Sequence, residues 1–321
     1  MILYLIVFMY FFAKCDCLHF FLTKQIQSLI IVKNALTTKT RYIFRDRANR
    51  GGVPWDTMTN FYRNKLTTLQ KLKREIENPY LYYPHYYKKP FHGYADGNLN
   101  WLAALEAKPA TLNIAVNYWK NIDPFTAECW LRNNFTESII EYLNENYLYL
   151  PVDVLDLGCS IGISTEYLKI KFPYSNFIGM DFSPYFLSVA SLHNEMFGNT
   201  KVKYIHANVE NTHLPKESVD LISIQFLFHE VPLINIHNIL NESYRLLTPN
   251  GTIAILDLNP QTLRAYLIKN PFKQWAFEIT EPHIVEYYQL NMIKMLQSAG
   301  FQKIIQKNND PMNCVWIATK L

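Results

Sequence analysis

Residues 152–164 constrain the fold more than any other stretch, because an apolar run ends there abruptly in a glycine loop. The run 152–157 has the Val and Leu content of a buried strand, and residues 165–172 have the pattern of an amphipathic helix. Between them, Gly158 and Gly162 border a loop where the missing Cβ lets a ligand lie against the backbone. The free N–H groups at the start of the helix favour an anionic group. This order predicts the first unit of a doubly wound nucleotide-binding fold.

A second apolar run, residues 176–180, ends in Asp181, which lies 25 positions after Asp156. This is close to where such folds place a carboxylate for ribose hydroxyls. Ser183 and Pro184 then predict a helix start, with Ser183 as the N-cap and Pro184 as the first helical residue.

Strand and helix patterns alternate from residue 152 to residue 256, and a looser segment, a helix and two more strands follow. This order predicts an α/β protein with a mostly parallel, doubly wound sheet of seven strands. The turn near Pro311 is so short that the last two strands can only form an antiparallel hairpin. Gly300 is expected to end the preceding helix. The predicted strands are 152–157, 176–180, 203–206, 219–226, 252–256, 302–306 and 312–319, and the predicted later helices are 184–197, 233–247 and 284–298.

The residues before the first strand predict a mainly helical cap over the carboxyl edge of the sheet. Apolar positions recur at helical spacing over residues 57–76, over 99–120 (one or two helices, broken near Pro109) and over 124–149. We therefore divide the chain into a targeting leader (1–51), an aromatic-rich helical cap (52–150) and the main domain (151–321).

Residues 80–94 contain six Tyr, one Phe, two His and two Pro, and the prolines exclude a long helix. Aromatic rings with polar tips suit a substrate lid. They also suit a structural strap that packs over the core, since aromatic side chains serve packing more often than recognition. Both interpretations stay open.

The first 51 residues are typical of a targeting segment. Residues 1–13 are an unbroken apolar run that is shorter than a membrane span, and Ala13-Lys14-Cys15 fits a small-x-small cleavage site. Residues 19–50 are basic and poor in acids. The two parts together resemble the leader of proteins sent to a plastid of secondary origin, with a mitochondrial presequence or an N-terminal membrane anchor as the alternatives.

Charge and cysteine content exclude several classes of protein. Residues 1–50 hold eight Lys or Arg and two acidic residues, whereas the whole chain has a net charge of only +4, so the remainder is slightly acidic and nothing favours nucleic acid. Cys129, Cys159 and Cys314, the cysteines beyond the leader, are widely spaced and contain no Cys-x-x-Cys. The sequence therefore predicts no disulfide and no metal site.

Four motifs in order resemble those of class I S-adenosylmethionine-dependent methyltransferases, which have a Rossmann-like fold. They are DLGCSIG at 156–162, DFSP at 181–184, VDLISI at 219–224 and LLTPNGT at 246–252. The predicted hairpin matches the antiparallel strand that separates this family from dehydrogenases. Pro90-Phe91-His92, together with residues 86–87 and 97–99, is similar to a group of plant and cyanobacterial methyltransferases.

The resemblance implies S-adenosylmethionine as the cofactor and a role for each matched residue. Asp156 would hold the loop or the cofactor's amine, and Asp181 would accept both ribose hydroxyls. Phe182 would contact an adenine face. The remaining residues implied to contact the cofactor are Gly158, Cys159, Ser160 and Gly162 at the methionine part, Asn208 and Val209 at the adenine edge, and Gln225. Ser160 stands where the family has its central glycine, and its Cβ leaves less space for the cofactor to approach the loop backbone.

His229 and Glu230 follow the fourth predicted strand, where the acceptor should meet the methyl group. Methyl transfer is an in-line displacement that needs a base only if the nucleophile must lose a proton. Either residue could act as that base, or His229 could cap or pack while Glu230 starts the next helix. If His229 is the base, His229→Ala should abolish turnover and leave cofactor affinity intact.

The sequence leaves the acceptor and two rival functions open. The tyrosines favour a small or lipid-like aromatic acceptor. A short-chain dehydrogenase is disfavoured, because the only Tyr-x-x-x-Lys pair beyond the leader, Tyr167 and Lys171, lies on the first helix after the glycine loop. A protein that binds the cofactor without catalysis remains an alternative. No stable membrane span is expected after removal of the leader.

Overall fold

The computed structural model describes residues 30–116, 119, 121–196, 198, 202–269 and 271–321. The apolar run 1–13 and the basic residues up to 29 lie outside this described part of the chain. Within it, no helix combines the length and the apolar character needed to cross a membrane.

A seven-stranded sheet forms the centre of the molecule, in the order β3-β2-β1-β4-β5-β7-β6. The five strands β1 to β5 pair in parallel, while β7 pairs antiparallel with both β5 and β6. The predicted α/β fold, its seven strands and its C-terminal antiparallel hairpin are thus confirmed. The strands are β1 (Asp153–Leu157), β2 (Asn176–Asp181), β3 (Val202–His206), β4 (Val219–Gln225), β5 (Leu247–Leu258), β6 (Gln302–Asn308) and β7 (Asn313–Thr319).

Both faces of the sheet are buried, because apolar side chains alternate between them along each strand. In β5, Ile253 and Ile255 belong to one core, whereas Ala254 and Leu256 belong to the other. The first core is closed by α8 (Leu233–Leu246), α9 (Pro260–Ile268), α11 (Ile284–Tyr287) and α12 (Met292–Ser298). The second is closed by α5 (Pro124–Glu145) and α6 (Ile163–Lys171).

The prediction that all N-terminal helices cover the carboxyl edge of the sheet is wrong for α5. Its residues Phe135, Ile139 and Tyr142 pack on the sheet face against strand residues such as Leu221 and Val315. The other cap helices pack beside α7 (Pro184–Met196) instead. They are α2 (Trp55–Arg63), α3 (Leu66–Ile76) and α4 (Trp101–Val116).

Two predicted long helices are each divided in the structure. Residues 57–76 form α2 and α3, because the two halves bury different faces, α2 against α4 and α3 against α7. Residues 284–298 form α11 and α12, because the side chain of Asn291 accepts a hydrogen bond from the Lys294 N–H (3.1 Å) and starts a new helix.

By contrast, α4 is one helix through Pro109, and the predicted break there is wrong. Pro109 removes one backbone donor. The loss is tolerated because Leu105 and Leu112, on either side, are fully packed. Both α9 and the helix that follows it, α10 (Pro271–Thr280), lie in a segment for which the sequence predicted no regular structure.

Residues 30–50 of the predicted leader form a helix, α1 (Ile30–Arg50), that contacts α4. Ala48 is fully buried with Trp55 and Leu112. Farther along α1, Arg41 Nε donates to Glu106 Oε2 at 2.7 Å. The boundary predicted at residue 51 stays a prediction, and it falls at the end of α1.

Candidate cofactor and acceptor site

Backbone hydrogen bonds to β2 and left-handed backbone angles fix the glycine loop after β1. The N–H groups of Gly158 and Cys159 both donate to the Met180 carbonyl of β2, at 2.8 and 3.1 Å. Gly158 and Gly162 have φ values of +73° and +81°, which favour glycine. Ser160 adopts φ +51° as well, so the loop turns sharply before α6.

Gly162 is required by a neighbouring ring in addition to its backbone angle. A Cβ at this position would lie 2.3 Å from Tyr204 Oη, and a Cβ at Gly179 would lie 2.6 Å from Cε1 of the same ring. The side chain of Cys159 is buried and points toward Gly179. Cys159 can therefore reach a cofactor only through its backbone, and the contacts of these loop residues with the methionine part stay predictions.

Asp156, at the end of β1, ties the loop to the first turn of α6. Its Oδ2 accepts hydrogen bonds from Ser164 Oγ (2.6 Å) and Thr165 Oγ1 (2.7 Å). Among the described residues its Oδ1 has no hydrogen-bond partner, although the side chain is buried. Burial raises the pKa of this carboxyl, and the hydroxyl groups oppose the rise. One oxygen therefore holds the loop and the other is free to accept from a ligand.

Arg132 is a buried cation near Asp156 that the sequence analysis missed. It is 6% exposed, one of its terminal nitrogens donates to Gln225 Oε1, and its Nε–H finds no acceptor within the described part of the chain. Burial lowers its pKa, and the nearby carboxylates Glu128 and Asp156 oppose the fall. The available signal was an arginine within the apolar stripe of α5, next to Leu131 and three residues before Phe135.

Asp181 closes the loop from the β2 side. Its Oδ2 accepts the Ser160 N–H at 2.9 Å, and its Oδ1 accepts the Ser183 N–H at 2.7 Å. Burial raises the pKa of this carboxyl to about 6, against the two backbone donors. Ser183 also caps α7, as predicted, by accepting the Phe186 N–H at 3.2 Å.

The other predicted cofactor residues lie along the same carboxyl edge of the sheet and differ in their burial and hydrogen-bond partners. Phe182 is buried beneath Tyr87, with ring centroids 4.8 Å apart. Asn208 uses Oδ1 to accept the Glu210 N–H (2.8 Å), and Val209 is buried. Both ends of the Gln225 amide are engaged, since Oε1 accepts from Arg132 and Nε2 donates to Ser223 Oγ. Their contacts with a cofactor stay predictions.

The tyrosine-rich segment 80–94 crosses this edge. Tyr83 Oη lies 2.9 Å from His206 Nε2, and Tyr86 Oη donates to Glu210 at 2.6 Å. These contacts place the segment over the ends of β2 and β3, where either a lid or a strap would lie.

Beyond β4, His229 is paired with a carboxylate that the sequence analysis did not single out. His229 Nδ1 lies 2.7 Å from Asp257 Oδ1, and Asp257 Oδ2 accepts the N–H of Phe228 at 2.8 Å. Burial alone would lower the pKa of His229, but Asp257, together with the nearby Glu230 and Glu281, outweighs this effect and the pKa rises to about 9. The signal for Asp257 was its position near the end of β5, because the ends of neighbouring parallel strands meet.

Three further side chains surround His229. His92 from segment 80–94 has its Nε2 3.4 Å from Glu281 Oε1 and 4.0 Å from Glu230 Oε1. Burial raises the pKa of Glu230 to about 8. Glu230 lies in a short turn of 3₁₀ helix, Phe228–Glu230, and does not start α8. We call His92, His229, Glu230 and Glu281 the acceptor-side cluster.

Comparison with known proteins identifies the class of this domain. Residues 155–255 match a family described as "Methyltransferase domain". A demethylmenaquinone methyltransferase of Thermus thermophilus is 28% identical over 36% of this chain and 51% of its own length. O-methyltransferase 3 of Dictyostelium discoideum is 26% identical over 55% of this chain and 42% of its own. The chain thus spans about half the length of the curated relatives it matches.

Among solved structures, this chain is similar to a putative O-methyltransferase from Nostoc punctiforme. It has a TM-score of 0.46 and 18% identity, over 66% of this chain and 60% of that one. The family match over residues 155–255 confirms the resemblance to class I S-adenosylmethionine-dependent methyltransferases. The similarity to a plant and cyanobacterial group stays a prediction.

Proposed function

We propose that this protein transfers the methyl group of S-adenosylmethionine to a small-molecule acceptor. One observation supports the proposal most directly. Beside the glycine loop, a buried cation with a free N–H (Arg132 Nε) lies near a buried carboxylate with a free oxygen (Asp156 Oδ1). Unpaired buried polar atoms of opposite charge are costly unless a ligand satisfies both.

The methionine part of S-adenosylmethionine has the matching pair of charges. Its carboxylate would accept from Arg132, and its ammonium group would donate to Asp156. The backbone of the loop between Gly158 and Gly162 would then lie against the chain that joins this group to the sulfur. On the adenosine side, Asp181 presents a carboxylate for the two ribose hydroxyls.

In this reaction the residues of the chain would hold the cofactor, exclude water and position the acceptor. The bound cofactor supplies a methyl group on a positive sulfur, which needs only an aligned nucleophile. Arg132, Asp156 and Asp181 would fix the two ends of the cofactor. The tyrosines of segment 80–94 would exclude water from the edge of the sheet. The acceptor would lie beside His229 and Glu230.

We also propose that the acceptor is aromatic. Ring side chains pack beside His229 and His92, with Phe91 against His92 (centroids 3.8 Å apart) and Tyr287 against His229 (6.3 Å). The relative from Thermus thermophilus is named for demethylmenaquinone. A radiolabelled methyl group that moves from the cofactor into the organic phase of a cell extract would support a lipid-like aromatic acceptor. Label confined to the aqueous phase would contradict it.

Calorimetric titration of the full chain tests cofactor binding. We expect S-adenosylmethionine and S-adenosylhomocysteine to bind, NADH not to bind, and Asp181→Ala to lose both cofactor forms. Binding of NADH instead, or of none of the three, would overturn the proposed function. Cofactor binding without methyl transfer to any component of an extract would favour a binding protein.

Arg132→Met tests the methionine end alone. 5′-Methylthioadenosine shares the adenosine part of the cofactor but has no amino-acid group. We expect the variant to bind S-adenosylhomocysteine about 10- to 100-fold more weakly, as for the loss of a charge-assisted hydrogen bond. It should bind methylthioadenosine as the wild type does. An equal loss for both ligands would assign Arg132 to folding of the site instead.

For the leader we propose delivery to a plastid. The proposal is supported by the excess of Lys and Arg over acids in residues 19–50 and by the apolar run 1–13 that precedes them. A fluorescent protein fused after residue 51 should enter that organelle. Delivery to mitochondria or retention at a membrane would contradict the proposal.

A further inference from the structure

We propose that the acceptor-side cluster binds one divalent transition-metal cation, with His92, His229, Glu230 and Glu281 as its ligands. One ligand atom from each of His92, His229 and Glu230 lies within 4.8 Å of the other two. Glu281 Oε1 joins them at 3.4 Å from His92 Nε2. Two imidazoles and two carboxylates therefore converge from three separate parts of the chain.

Glu281 supplies an independent reason to expect a cation. It is 4% exposed, and its Oε2 has no hydrogen-bond partner among the residues that the structure describes. Glu230 is its acidic neighbour across His92. An isolated buried carboxylate oxygen is costly. A cation between the two carboxylates would satisfy this oxygen and remove the repulsion between them.

The Asp257–His229 pair orients the second imidazole for metal binding. Because Nδ1 of His229 faces Asp257 Oδ1 at 2.7 Å, Nδ1 keeps its proton, and a cation that displaces the proton on Nε2 would bind the lone pair of that nitrogen. Asp257 is itself held by the backbone N–H groups of Phe228 and Leu258. A carboxylate that fixes the tautomer of a histidine is the usual support of a metal-bound imidazole.

The ligand types select the cation. Imidazole and carboxylate together suit Zn²⁺ or Mn²⁺, whereas Mg²⁺ and Ca²⁺ prefer oxygen ligands alone. His92 has a 41% exposed side chain, so a cation can reach the cluster from solvent. A cation on Nε2 also takes the lone pair that a general base would use. This proposal therefore replaces the hypothesis that His229 is the base.

If the proposed function holds, the cation also binds the acceptor. An acceptor hydroxyl bound to it would release its proton to solvent water at neutral pH, since a cation lowers the pKa of a bound oxygen acid. The resulting oxyanion is the nucleophile that in-line displacement requires. This second step rests on the proposed function, but cation binding itself does not.

The direct test is cation binding by the purified full chain. After treatment with a chelator and dialysis against Zn²⁺, we expect about one Zn²⁺ per chain by elemental analysis, as four converging ligands predict. Co²⁺ in place of Zn²⁺ should give visible absorption without a thiolate charge-transfer band, which excludes binding by cysteines. Less than about a tenth of an equivalent, or a thiolate band, would overturn the proposal.

Variants locate the site. Competition with a chelating dye should show Zn²⁺ affinity reduced at least about tenfold in His92→Ala and Glu281→Gln, and also in Asp257→Asn, where only the supporting carboxylate is changed. The matched controls His85→Ala and Glu286→Gln alter exposed residues of the same two segments and should bind as the wild type does. Unchanged affinity in both His92→Ala and Glu281→Gln would overturn the assignment.

The two proposals fail in different ways. Binding of S-adenosylmethionine without Zn²⁺ would leave the proposed function standing and remove the cation. If the protein binds Zn²⁺, loses this binding in Glu281→Gln and binds no S-adenosylmethionine, the cation site would stand and the proposed function would fail. The circular dichroism of each variant confirms that it is folded.

Discussion

Asp181 is the residue whose ionisation should control cofactor affinity. It is buried at the end of β2, between the Ser160 and Ser183 N–H groups, and burial raises its pKa to about 6. A carboxyl with a raised pKa binds its proton more tightly in the folded chain, so the unliganded protein gains stability as pH falls through about 6. Ribose hydroxyls have the opposite effect, because they donate to the ionised form.

We therefore predict that S-adenosylhomocysteine binds more weakly at pH 5 than at pH 7.5, by up to about tenfold per pH unit below the pKa of Asp181. Calorimetry at both pH values measures the change. In Asp181→Asn the residue cannot ionise, so affinity should be low and its dependence on pH should be much smaller. A wild-type affinity that does not vary with pH would contradict the assignment of Asp181 to the ribose.

At the residue scale, the sequence predicted the site residues that lie at strand ends and missed those that tertiary packing brings to the site. Asp156 and Asp181 were recognisable because each lies at or near the end of an apolar run, close to a glycine loop or a helix start. Arg132 and Glu281 have no such neighbours. They reach the site only because α5 packs on the sheet face and because the chain after α10 folds back over β4.

At the scale of elements, the glycine loop and β3 are fitted to each other. The ring of Tyr204 on β3 occupies the space that a Cβ on Gly162 or Gly179 would need. The loop thus depends on glycine both for its left-handed backbone and for the approach of a neighbouring strand.

Gly162→Ala should therefore destabilise the protein by about 3 kcal/mol, from the backbone penalty and the clash together. Gly198→Ala is the matched control, because Gly198 also has a positive φ (+63°) but no heavy atom within 4 Å of its added Cβ. It should cost only about 1 kcal/mol. Urea unfolding measures both.

Tyr204→Phe tests whether the clash with the Tyr204 hydroxyl causes part of the destabilisation by Gly162→Ala. It removes the hydroxyl that lies 2.3 Å from the added methyl group and should recover part of the loss in the Gly162→Ala background. Equal destabilisation by Gly162→Ala and Gly198→Ala would show that the backbone angle alone requires glycine.

The same scale shows why element boundaries were harder to predict than element types. The predicted strands 252–256 and 312–319 correspond to β5 and β7, whose side chains are buried on both faces of the sheet. The division of residues 57–76 into α2 and α3 has no such signature, because both halves keep helical spacing and differ only in the partner they bury. At Pro109 the opposite error occurred, because the sequence predicted a break in a helix that is continuous. Tertiary packing there outweighs the loss of one backbone hydrogen bond.

At the scale of the whole molecule, α1 connects the predicted leader to the cap. Glu106 on α4 is 2% exposed and accepts hydrogen bonds from Arg41 on α1 and from Tyr94 Oη at 2.8 Å. Tyr94 ends segment 80–94, so α1, α4 and the segment over the site share one buried carboxylate. Residue composition alone assigned α1 to targeting, because its contacts with α4 are visible only in the fold.

Two truncations separate these roles of α1. A chain that starts at residue 30 keeps Arg41 and should unfold at the same urea concentration as the full chain. A chain that starts at residue 52 leaves Glu106 buried without its cation, and we predict a loss of about 3 kcal/mol. Glu106→Gln in this shorter chain should recover part of the loss, because a neutral amide costs less to bury than an unpaired charge. Equal stability of the two truncated chains would show that α1 is dispensable for folding and would favour its removal with the leader.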